Sequence, residues 1–511
     1  MLNSMTPSPN SLRMRNKPAQ PNSIQETCSV THTARLNRPF HPSRWRLIPA
    51  SLTLLLFALA AGSAIAGVMM QGFYWNCPGP WYPTMQAQAA ALKNVAGGYG
   101  INRIWFPVPQ KSASGGYSMG YDPYDYYDLG SYSQNGGPGT HFGTQAQLKS
   151  AIAAFKAQGI SCIADIVLNH RSGGANENNP YTGGTSYTDF SGVASGMCKW
   201  HWDSFHPNYQ EVSDEGTFGG YPDICYVNAP PYNDMKTWMN WLKSTSNAGF
   251  DGWRYDYVKG YHSWVVHDMN AATSPSFSVG EYWDSNTSNV DNWVNAANSS
   301  AFDFALYYTM QTFCNNTSGG GNLADVLDPT KSYAAKNPFR AVTFCANHDT
   351  DQITTDKMMA YAIIMTYQGY PCIFWEDYYN YGLATGGGSG SGWGNGINQL
   401  LWCHEKLAAG GPNIQILKSN DPQCLIYGSS GYSSSSPGYI VVVNSNPSAW
   451  KGYTVTTSNG YLKNQTLKAY AWSSTVSGQN VPPNNQWCDG NGNVSVWAAP
   501  RGYAVYSVNG L

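Results

Sequence analysis

Four short stretches of this 511-residue chain set reactive side chains inside runs that are otherwise apolar or aromatic. ADIVLNH ends on His170, GWRYDYVKG holds Arg254, Asp256 and Lys259, VGEYW holds Glu281, and FCANHD ends on His348 and Asp349. A carboxylate in such surroundings carries a desolvation cost, so three of them are hard to explain by packing. Arg254 and Asp256 are two residues apart, so on a strand they project to the same side. A cation at that spacing holds an aspartate as an aimed carboxylate, which makes Asp256 a candidate nucleophile. Glu281 has aromatic and apolar neighbours, where burial keeps a carboxyl protonated and suits it to a general acid. A charged nucleophile paired with a protonated acid is the arrangement that cleaves glycosidic bonds.

The elements that must position these groups follow from the hydrophobic pattern. Candidate strands are VMMQGFYW, INRIWFPV, SCIADIVL, DGWRYDYV, SFSVGEYW, FDFALYY, AVTFCAN and PCIFWEDY. Helix-like segments such as TQAQLKSAIAAFKAQG, NDMKTWMNWLKSTSNAG and TDKMMAYAIIMTYQG lie between them, each closing on a glycine expected as a C-cap. Strands alternating with helices predict an α/β fold, a parallel (β/α)8 TIM barrel, whose active site lies at the carboxyl ends of the strands. All four reactive stretches sit at such ends. The Gly-, Asn- and Tyr-rich stretch 171–231 is too long for an ordinary connection and predicts a small inserted domain. The barrel is expected over 67–412, and short runs such as YIVVVN and RGYAVYSV predict an all-β C-terminal domain over 413–511.

Residues 1–66 stand apart from this pattern. Arg44 and Arg46, the apolar run LIPASLTLLLFALAAG and the small-residue motif up to Ala66 read as a secretory signal peptide cut after Ala66. The expected location is therefore extracellular. Ten of the eleven cysteines follow that cut, where export permits disulfides. Cys162, Cys345 and Cys372 lie in apolar runs and read as buried thiols. Only 11% of residues are charged, with a net charge of -2, which gives no reason to expect nucleic acid or an anionic membrane as partner. The 36 tyrosines and 19 tryptophans suit flat, weakly polar ligands such as sugar rings.

The four stretches, in this order and spacing, resemble the signature regions of the α-amylase family of glycoside hydrolases. GGYSMGYDPYDYYDLG and GTFGGYPDIC resemble its archaeal and plant-like branch. The resemblance covers about 68–383 and implies retaining endo-hydrolysis of α-1,4-glucosidic bonds in starch-like glucans by a monomer. It implies Asp256 as nucleophile, Glu281 as acid/base and Asp349 as the transition-state-stabilising carboxylate. Arg254 would orient the nucleophile, His170 and His348 would hydrogen-bond the sugar, Tyr121 would stack on it, and Lys259 would reach the leaving-group side. An exo-acting maltooligosaccharide-forming enzyme or a transglycosylase on the same scaffold is the alternative, and a non-catalytic starch-binding protein is opposed by the intact acids.

The resemblance also implies calcium, held by Asn169, Asp214 and Asp223 with backbone carbonyls of Gly216 and Gly260. A neighbouring zinc would use His206 and Cys225, but Glu211 stands where a second histidine is expected, which weakens the site. Without zinc, Cys225 stays a thiol or pairs with Cys198.

Overall fold

Eight of the apolar runs form the strands β1 (Met69–Gln71), β2 (Arg103–Phe106), β3 (Ser161–Ile166), β4 (Gly252–Tyr255), β5 (Ser278–Gly280), β6 (Ser300–Phe302), β7 (Ala341–Phe344) and β8 (Tyr370–Phe374). Every pairing is parallel and joins neighbours in sequence, and β1 pairs with β8 to close a barrel. Helices cover the outside, so the strands are apolar on both faces and read as continuous hydrophobic runs. The structure is a computed structural model that describes residues 67–210, 218–385, 396–407 and 413–511. The expected signal peptide, and Glu211, Asp214 and Gly216, lie outside the described residues.

One expected strand is mostly something else. FDFALYY contributes only its first residue to β6, and Phe304–Cys314 is an α-helix. Asp303 starts it by accepting from the Leu306 amide at 2.8 Å. The helix is buried nearly all round, so it lacks the 3.6-residue alternation that marks a surface helix.

The helix Gln145–Ala157 opens on a capping box, with Thr144 and Gln147 each bonding the other's backbone amide. It ends at Gln158 followed by Gly159 at φ +69°. The other two helices stop short of their expected glycines: Ala229–Lys243 ends six residues before Gly249, and Lys357–Thr366 three before Gly369. Tertiary packing ends them, and the glycines serve the following turns.

Between β3 and the helix Ala229–Lys243 the chain makes an antiparallel hairpin, Ala175–Asn179 with Gly184–Asp189, and a short pair, Phe205–His206 with Asp223–Ile224. Arg171 pins this excursion down. Its buried guanidinium donates to Tyr124 O at 2.8 and 3.0 Å and to Cys198 O at 2.6 Å, and lies 3.8 Å from the centre of the Phe190 ring.

From Ile414 onward all strands are antiparallel. A six-stranded sheet contains the two runs expected from sequence, as Ser436–Asn444 and Gly502–Val508, and a separate two-stranded ladder pairs Lys451–Thr456 with Asn493–Ala498. Period-two alternation divides the sheet's side chains. Leu425, Tyr427, Val441, Val443 and Val505 join the barrel core, while Ile426, Ile440, Val442 and Tyr506 pack in a second core with Val455, Val494 and Val496 of the ladder.

Candidate active site

A single buried arginine organises the barrel mouth. Arg254 is held on β4, whose register sets it beside Asp165 of β3. Its Nη1 lies 2.9 Å from Asp165 Oδ1 and 2.7 Å from Asp256 Oδ1, and its Nη2 is 2.7 Å from Glu281 Oε1. The Trp105 ring supports the guanidinium at 4.9 Å. The two-residue spacing of Arg254 and Asp256 thus does place both inward.

Asp256 and Glu281 are each the first residue past a strand, and the Glu281 amide extends the ladder to Tyr255 O at 2.9 Å. Tyr257, directly after Asp256, sits at φ 43°, a region that costs a non-glycine residue about 1–3 kcal/mol. The conformation aims its amide at Glu281 Oε2, 3.1 Å away. Burial pushes the Glu281 carboxyl up to about 8, with Arg254 opposing and the charges of Asp256 and Asp349 adding to the rise. Burial likewise lifts Asp349 to about 6. Asp349 is aimed by a turn in which Asn347 Oδ1 accepts from its amide at 2.9 Å, and its own Oδ2 stands 3.2 Å from His348 Nε2.

His348 is clamped from both sides: Nδ1 is 2.8 Å from Gln71 Nε2 and Nε2 is 2.7 Å from Tyr121 Oη. Tyr121 Oη donates to Asp165 Oδ2 at 2.8 Å. The bonds are satisfied together when His348 is neutral with its proton on Nε2, and burial does hold its basicity well below the ordinary histidine value. The rings of Trp75, Tyr121 and His348 lie in nearly parallel planes, 9–13° apart, with centroids 5.3–6.2 Å from one another.

Sequence reasoning missed Asp165, Gln71 and Trp105. Asp165 left a cue, an acid midway along an apolar strand, but only the register beside Arg254 gives it a task.

The acids open into a cleft of about 650 Å³ lined by Asp256, Glu281, Asp349 and aromatic side chains including Trp75, Tyr121 and Trp283. Neither histidine lines it. His170 donates Nε2–H to Tyr121 O at 2.8 Å and stacks on Phe218 and Tyr221, which do line it. Burial lowers its basicity. Lys259 lines a second cleft of about 580 Å³ with Tyr282, and its Nζ is 3.4 Å from Asp284 Oδ2.

Part of the expected metal loop is visible. Asn169 is fully buried, its Oδ1 has no hydrogen-bond partner, and its backbone carbonyl accepts from Ile224 N at 3.0 Å. A Cβ on Gly260 would come within 1.9 Å of that Oδ1, so only glycine fits there. Asp223 is buried and its backbone bridges to His170. An orphaned amide oxygen beside a buried carboxylate and a bare glycine backbone fits a hard, oxygen-seeking cation. Among the described residues no group of three or more His, Cys, Asp or Glu side chains is placed to hold a metal. The ten described cysteines are buried free thiols, as expected for Cys162, Cys345 and Cys372, and Cys198 and Cys225 are not paired.

A closed parallel barrel with carboxylates gathered round one arginine, above an aromatic cleft, defines a glycoside hydrolase. Residues 97–379, more than half of the chain, match the family described as "Alpha amylase, catalytic domain", and the chain belongs to that family. It is 30% identical over 407 residues to the α-amylase of Bacillus licheniformis, covering 65% of this chain and 76% of the relative. It is 27% identical over 500 residues to the cytoplasmic α-amylase of Escherichia coli (strain K12), covering 84% and 98%. An α-amylase crystal structure from Geobacillus thermoleovorans superposes with a TM-score of 0.60 at 17% identity, over 86% of this chain and 97% of that one, which shows the shared fold.

Proposed function

We propose that this protein hydrolyses internal α-1,4-glucosidic bonds of starch-like glucans with retention of configuration. The observation that carries this reading is the pair Asp256 and Glu281 held by one guanidinium, with Glu281 pushed up to about 8, at the floor of an aromatic cleft. Glu281 gives its proton to the glycosidic oxygen while the Asp256 carboxylate attacks the anomeric carbon. The aglycone leaves, and a covalent glycosyl-enzyme remains. Glu281, now ionised, takes a proton from water, whose oxygen displaces Asp256. Asp349 faces the same cleft and offsets the positive charge that develops on the sugar ring. Arg254 and the neutral His348 position these groups, and Tyr121 presents its ring to the sugar.

Asn169, Asp214, Asp223 and the carbonyls of Gly216 and Gly260 would hold calcium, whose chemistry is that of an electrostatic cross-link rather than a reactant. Asn169 adjoins His170, so this cross-link supports the cleft wall formed by Phe218 and Tyr221. Zinc would need Glu211 with His206 and Cys225, a donor set poor in nitrogen, and calcium is the metal we carry forward. We also read 1–66 as an export signal, 171–231 as a discrete inserted domain and 413–511 as a separate C-terminal domain, and the working state as a monomer.

A product time course on soluble starch, with and without chelator, tests the reading. A rapid fall in viscosity ahead of reducing-sugar release, and its loss on chelation, is the expected result. A single dominant oligosaccharide from the first minutes would replace internal with exo-cleavage.

A further inference from the structure

The two-stranded ladder Lys451–Thr456/Asn493–Ala498 has an outer face that neither core uses. Lys451, Tyr453 and Val455 point inward with Val494 and Val496: Lys451 and Tyr453 bind Asp421, and Val455, Val494 and Val496 are buried. Alternation therefore sends Thr454, Thr456, Asn493, Ser495 and Trp497 outward. Gly452 pairs with Trp497 across the ladder, and Trp450, just before the first strand, lines the same cleft as Trp497. The two tryptophans are diagonal neighbours, within reach of one flat ligand.

Gly452 is the space between them. A Cβ there would meet the Val496 carbonyl oxygen at 2.0 Å and Trp497 Cα at 2.7 Å, so close approach of the two strands requires the glycine, and Trp497 Cδ2 lies 2.8 Å from the same position. Trp497 stays 41% exposed, and the Trp450 Nε1–H is fixed by Gln479 Oε1 at 2.6 Å. Pro482, Pro483, Asn484 and Gln486 complete a cleft of about 410 Å³ over the two indoles. Beyond Trp497 the face continues as hydroxyl and amide pairs, Thr454 Oγ1 with Ser495 Oγ and Thr456 Oγ1 with Asn493 Oδ1, both at 2.7 Å. Each pair leaves donors and acceptors facing solvent.

Among the described residues no ionisable side chain lines the cleft. A charged ligand has no partner there, whereas a neutral polyol with apolar ring faces and many hydroxyls finds both surfaces it needs. We propose that this face is a second carbohydrate site, which docks a segment of α-glucan on the C-terminal sheet while another segment occupies the barrel. The ligand class rests on the function proposed above; the site itself rests on the ladder.

The test measures adsorption to insoluble starch granules and turnover of soluble maltoheptaose for the full chain, Trp497→Ala and Trp497→Tyr. Trp497→Ala is expected to weaken adsorption about two- to tenfold, the range of one aromatic stacking contact. Trp497→Tyr is expected to keep most of it, and kcat/KM on maltoheptaose to stay unchanged in both. Hydrogen exchange on Glu281→Gln, which binds maltoheptaose without consuming it and leaves the ladder unaltered, should show protection over 450–456 and 493–498. Adsorption that is equal in all three proteins, or the absence of protection over those segments, overturns the second site and leaves the hydrolase intact. A wild type inert on both starch and maltoheptaose overturns the functional reading beneath it.

Discussion

Of the three buried arginines among the described residues, Arg254 and Arg501 pair with carboxylates, and their surroundings differ in one respect. Arg254 in the barrel mouth faces three carboxylates, Asp165, Asp256 and Glu281. Arg501, where the C-terminal sheet meets the barrel, faces one, Asp356, and spends its other donors on the carbonyls of Phe313, Cys314, Asn316 and Ser445 at 2.6–3.2 Å. The seam is balanced in charge, and its dipoles are satisfied. The mouth carries more negative charge than its cation can neutralise, so a proton must stay on one acid, and burial chooses Glu281. Balanced charge makes a joint, and surplus charge makes a proton donor.

Breaking the mouth should give the largest effect on rate. Glu281→Gln is expected to lower kcat on starch by on the order of 10⁴-fold while leaving glucan binding, and to leave the melting temperature at neutral pH nearly unchanged, because the amide replaces a carboxyl that is already protonated there. A variant that loses both activity and stability would deny the contrast between the two arginines.

Breaking the seam should do the reverse. Arg501→Met strands Asp356 in a buried site and should cost about 3–5 kcal/mol in urea unfolding, with unchanged kcat in the fraction that stays folded. A large loss of kcat without loss of stability would show that the seam reaches the chemistry.

Acidity sharpens the comparison further. Glu281 is raised in the folded state, so its favourable contribution is complete below its ordinary value near 4.5 and is lost as pH rises through about 8. Activity should fall along an alkaline limb near pH 8, about tenfold per unit beyond it, as the donor loses its proton. Stability should decline between about pH 4.5 and 8 in the wild type and level off above, and Glu281→Gln should flatten that decline.

The smallest effect comes from the edge of the mouth. Tyr121→Phe removes the hydroxyl shared by Asp165 and His348 but leaves Asp165 bonded to Arg254 and Trp105. The expected loss is about five- to tenfold in kcat/KM, the worth of one hydrogen bond, with granule adsorption unchanged.

Much of this was legible in the chain. The eight strands follow from apolar runs, and the three acids of the cleft from their positions at strand ends. FDFALYY reads as a strand because the helix Phe304–Cys314 that contains most of it is buried nearly all round and loses its period, and a continuous apolar run does not distinguish the two. Asp165 and Gln71 escaped because their partners lie on other strands, at distances along the chain that only register brings together. Lys259, which the resemblance sets toward the leaving group, lies four residues past the end of β4 and lines the neighbouring cleft, a placement that depends on the turn after the strand rather than on the strand's own pattern.

The barrel closes between β1 and β8, and the bond from Gln71 to His348 spans 277 residues across that closure. During synthesis one edge of β1 can pair with β2 early, whereas its other edge waits until nearly three hundred further residues have left the ribosome before β8 exists. A polypeptide cut short before β8 would hold Asp165, Asp256, Glu281 and Asp349 and lack the strand that closes the barrel, so enzymatic activity is expected to require that translation ran past residue 374.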